Sequence, residues 1–166
     1  MKFFVFLLLS MAISSSVMAQ TRLSVGAACY TPLEAEAEQG IRIHSELMVI
    51  ALNCQHLTPV GQENLYSQFR KFTAKNAALF STYEMLLINF FKKTGSSNPD
   101  REMHTLRTNY ANRISKDAAT MRPDAFCSTY MPRIQKAAVM NEASLHKWAS
   151  TFFPGFGPTR PICANR

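Results

Sequence analysis

Three histidines and two glutamates have the chemistry to make a site. His44, His104 and His146 are spread along the chain. Imidazoles gathered from separate helices can bind zinc or copper. No short His-x-x-x-His or Glu-x-x-His pair accompanies them, so a metal site would depend wholly on how the helices meet. Unrelated, partly exposed histidines are the plainer expectation. A haem held by His and Met ligands is the other carrier reading, although methionine more often fills cores. Glu46 and Glu84 fall mid-helix and are the acids least patterned as surface residues. In a cleft, either would suit acid–base cleavage of a cell-wall glycan. Salt-bridged or surface carboxylates are the simpler account of both. No Gly-x-Ser-x-Gly elbow supports a serine nucleophile.

The cysteines speak of compartment more than of catalysis. Cys29, Cys54, Cys127 and Cys163 form no CxxC or CxxCH motif and no short-spaced ligand set. An even number in an exported chain reads as two disulfides. Export itself is read from residues 1–19. Lys2 gives a positive start, Phe3 to Leu9 an apolar core, and Val17-Met18-Ala19 a small-x-small cleavage pattern. That core is shorter than the roughly 20 residues that span a bilayer. A secreted or periplasmic protein released near Ala19 is therefore expected, with residues 20–166 forming a single domain.

Without Lys2 the chain carries 17 basic and 11 acidic residues, a net charge of +6. Fifteen of the basic residues, against seven acidic, lie from Glu63 onward. Such a charge balance suits an anionic polymer or lipid partner, but no run of five or more basic residues is present, and a domain that is simply basic is the plainer expectation. Arg70, Lys71, Lys92 and Lys93, with aromatic residues near them, are the candidate contacts. No nucleic-acid module is present.

Helices must position all of these groups. Thr31-Pro32-Leu33-Glu34 is a capping box with proline at the first position, opening a helix over 32–55. Leu65, Phe69, Phe72, Leu79, Tyr83, Leu86 and Phe90 predict one helix over 62–93, with Asn76 on the same stripe. Asn98-Pro99 opens a third over 99–121, and Arg122-Pro123 a fourth over 123–150. The tail, 151–166, is too rich in proline and glycine to be helical. Phe152, Phe153 and Phe156 are read there as a strap that covers the core, with an exposed partner site as the alternative.

Short turns between four long helices predict an all-α, antiparallel up-down bundle. It resembles four-helix periplasmic proteins in architecture alone, which assigns no function. Its geometry also proposes the disulfides. The first helix is about 30 Å long, which separates Cys29 from Cys54 beyond the roughly 7 Å that a disulfide allows. The end of helix one and the start of helix four share an end of the bundle, which predicts Cys54–Cys127. Cys29–Cys163 follows, tethering the tail. The same topology would put His44, His104 and His146 at one end. A non-enzymatic protein that binds a partner in the envelope, outside the cell or on a host is the expected function. A metal or haem carrier and a small cell-wall hydrolase are the alternatives.

Overall fold

The computed structural model describes residues 28–164; the expected leader, 1–19, lies outside them. The described chain is helical, with one isolated bridge between Tyr30 and Ile162. Its helices are α1 (Pro32–Cys54), α2 (Leu65–Lys75), α3 (Ala77–Lys93), α4 (Pro99–Thr120), α5 (Pro123–Ala138) and α6 (Glu142–Ala149). Disulfides join Cys29 to Cys163 and Cys54 to Cys127, with Cα atoms 5.0 and 5.5 Å apart.

α1 begins where its caps dictate. The Thr31 hydroxyl accepts from the Glu34 amide, and the Glu34 carboxylate accepts from the Thr31 amide. From Ala35 to Ala51 no residue of the helix is exposed, and Gln39, Gly40, Ile41, Arg42 and Ile43 are consecutive and all buried. A helix covered all round lies inside its domain. Accordingly α1 packs against each of the other five helices, while α2 also packs on α5 and α3 on α4. This differs from a four-cornered bundle, in which each helix keeps a solvent face. The cause lies in α1's polar residues. Glu38, Arg42, Ser45 and Glu46 are buried because each finds hydrogen-bonding partners.

Two expected long helices are each broken. Residues 62–93 form α2 and α3, separated at Asn76, whose φ of −110° and ψ of 19° leave the helical range. Its side-chain amide donates to the Phe72 carbonyl at 2.9 Å, competing with the helical ladder for that acceptor. Residues 123–150 form α5 and α6. Asn141 caps α6 by accepting from the Ser144 amide at 2.9 Å, which ends the preceding segment at Ala138.

Where α3 crosses α1, Gly40 lies against the ring of Tyr83. A Cβ there would stand 2.4 Å from two ring carbons. The close approach brings the Tyr83 hydroxyl to the Glu36 carboxylate one turn earlier on α1, 2.6 Å away.

Candidate functional site

A cleft lies under the tail strap, between α1, α4, α5 and α6. α1 contributes Gln39, Arg42 and Glu46, which share a face at three- and four-residue steps. α4 contributes Arg113, Lys116 and Asp117, α5 contributes Arg133 and Lys136, and α6 contributes Trp148. Phe156 stands in the middle. Cavities of about 360 and 380 Å³ flank it, and Glu46 and Arg133 line both.

Ion pairs set the floor of this cleft. Glu46 is buried between two guanidinium groups: Arg42 Nε at 3.0 Å and Arg133 Nη2 at 2.6 Å. Arg42 is itself buried, and its Nη1 donates to Gln39 Oε1 at 3.2 Å and to the Phe156 carbonyl at 3.0 Å. The guanidinium carbons of Arg42 and Arg113 lie 4.8 and 5.0 Å from the centre of the Phe156 ring, within cation–π range. Asp117 accepts from the Tyr130 hydroxyl at 2.8 Å, a bond that pushes the Tyr130 pKa up, with burial adding to it. Both carboxylates of the cleft are therefore engaged. Arg113, Lys116 and Lys136 make no ion pair among the described residues, which leaves the rim positive.

A buried carboxylate fixes the end of the strap. Glu38 accepts from the Tyr110 hydroxyl at 2.6 Å, from the Thr159 amide at 2.7 Å and from the Thr159 hydroxyl at 2.6 Å. Burial, with Glu38 alongside, pushes the Tyr110 hydroxyl far above its ordinary pKa.

The three histidines occupy three different surroundings. His44 packs between the rings of Phe69 and Phe80, with Thr73 Oγ1 3.2 Å from Nε2. His146 pairs with Glu36 beside the Tyr83 hydroxyl. His104 is exposed on α4, in a groove with Asp100 and Thr108. Among the described residues no three potential ligands converge. Glu46 and Glu84 are both committed to arginines, Glu84 to Arg107. Lys71 pairs with Glu63 at 2.7 Å, and Arg70 lies beside it on the exposed side of α2. Lys92 and Lys93 form the exposed last turn of α3, where cations complement the helix dipole.

The strap covers the core at Phe152, which packs against it, but not at the other two phenylalanines. Phe152 is half-buried, but Phe153 is 55% and Phe156 45% exposed. The cleft itself went unread in the sequence. Its only local signals are the pairs Arg113/Lys116 and Arg133/Lys136, three residues apart on two helices. No family model, curated protein or solved structure matches the chain.

His44 gives a stability test. Burial, helped by the positive charge of Arg107 and opposed by Glu84, lowers its pKa from 6.5 to about 4. Between these values the unfolded chain holds a proton that the folded one refuses. Stability from this residue is thus full above pH 6.5, falls as pH drops, and levels off below pH 4. Urea melts at pH 7 and pH 4.5 should show His44→Gln losing about 2–3 kcal/mol less than the native chain between the two pH values. Equal losses would refute the assignment.

Proposed function

We propose that this is an exported, non-enzymatic binding protein, secreted or periplasmic after cleavage near Ala19, that takes an anionic partner in the cleft under the strap. Support comes from one observation: five cations line the cleft and its two carboxylates are already engaged. The two disulfides suit an oxidising compartment, and among the described residues no helix is long and apolar enough to cross a membrane. In this reading the Cys29–Cys163 bridge tethers the tail so that Phe156 stays over the arginines. The carrier and hydrolase readings lack a comparable arrangement, since the histidines do not converge and the two glutamates are spent on ion pairs.

Trp148 makes the test direct, because it lines the cleft and is the chain's sole tryptophan. Titration with polyphosphate should change its emission, and added salt should weaken the response. Arg113→Glu with Lys136→Glu should lower affinity by about tenfold or more, as expected for the loss of two steering charges and the gain of two repulsive ones. Reversing Lys92 and Lys93 should leave it nearly unchanged. An equal loss from both pairs would reduce the effect to net charge and refute the site.

A further inference from the structure

We infer that the partner is an anionic lipid bilayer surface, on which the strap docks with Phe153 and Phe156 entering the headgroup region. This rests on the reading of the cleft as an anion site and adds what the anion is attached to.

Three observations point to a membrane over a soluble ion. First, the two strap phenylalanines are about half exposed and close together. They flank a tight turn made by Pro154 and Gly155, where Gly155 has a φ of +77° and the Phe156 amide donates to the Phe153 carbonyl at 2.9 Å. A loop that offers two aromatic rings to water gains by placing them in an apolar phase. A free anion covers neither ring. Second, Trp148 is half-buried and lines the cavity that both rings border, and an amphipathic ring beside them suits the headgroup boundary. Third, cations surround the same rings. Arg113 and Lys116 approach Phe156 from α4, Arg133 and Lys136 line the side shared with Phe153, and exposed Lys147 precedes Trp148. Of these, Arg113, Lys116, Lys136 and Lys147 make no ion pair among the described residues, whereas Arg133 is held by Glu46, and aromatic residues beside such free cations complement a surface of negative headgroups over hydrocarbon.

The test uses the full mature, disulfide-bonded chain and two kinds of probe. Vesicles of phosphatidylcholine, with or without phosphatidylglycerol, are compared with soluble glycerol phosphate and polyphosphate. Co-sedimentation and Trp148 emission are the readouts. The protein is expected to sediment with the phosphatidylglycerol vesicles, with a blue shift of Trp148, and not with phosphatidylcholine alone. Phe153→Ser should weaken this binding by about fivefold or more and Phe153→Trp should retain it. Phe153 is exposed, so both variants should melt like the native chain. Arg113→Glu with Lys136→Glu should abolish sedimentation. A Trp148 response to the soluble anions without vesicle binding would overturn the membrane inference and leave the cleft reading standing. No response to either probe would overturn both. Vesicle binding unchanged by Phe153→Ser would reduce the attraction to charge and also overturn the docking of the strap.

Discussion

Gly40→Ala should destabilise the protein by about 3 kcal/mol, although alanine is better than glycine in a helix by roughly 1 kcal/mol. The added methyl would meet Tyr83 Cδ2 and Cε2 at 2.4 Å, a distance that non-bonded carbons do not adopt. Tyr83 cannot swing aside easily, because its ring is fully buried and its hydroxyl is held by Glu36. Either α1 and α3 move apart, opening gaps along a shared face, or the ring leaves its rotamer. Urea melts should show a lower midpoint with an unchanged slope. Tyr83→Ala alone should cost about 3–5 kcal/mol through the cavity it leaves. Combining the two should cost less than their sum, since the methyl then has room. Strict additivity would show that the ring is not what excludes a side chain at this position.

The second large effect is expected at Glu38. Glu38→Ala leaves the Tyr110 hydroxyl and both donors of Thr159 without their acceptor. A stranded buried network costs about 3–5 kcal/mol. Glu38→Gln keeps one acceptor oxygen, and its amide can donate to the Thr159 hydroxyl, so about 1–2 kcal/mol is expected. Hydrogen exchange separates local from global loss. With Glu38→Ala the Thr159 amide should exchange far faster, while core amides of α1 follow only the global change in stability. Unchanged protection at Thr159 would mean that the disulfide at Cys163 holds the tail without help from Glu38.

The helical class and the presence of disulfides were legible because their signals are local or compositional. A capping box at Thr31 and Glu34 needs only its own four residues, and an even number of cysteines needs only counting. The place of α1 was not legible. Glu38, Arg42 and Glu46 fall at the spacing of a solvent face, yet they are buried by partners from distant segments. Glu46 meets Arg133 at a separation of 87 residues, and Glu38 meets Thr159 at 121. Periodicity reports polarity and cannot report that a polar group will be paired. Asn76 fails differently. It sits on the apolar stripe and is buried as that position implies, but its side-chain amide shares the Phe72 carbonyl with its own backbone N–H, and the chain leaves the helical range there. The cleft was hidden for the same reason as α1's burial. Its cations come from three helices, and only packing unites them.

The central position of α1 also sets an order of events in the life of the chain. α1 leads the described residues, yet the side chains that satisfy it come late: Tyr110, Arg133, His146 and Thr159. Contacts so far apart in sequence favour slow folding, because long loops must close before any contact repays them. A chain still being made therefore carries an α1 with stranded charges on one side and bare apolar residues on the other until the C-terminal segments arrive.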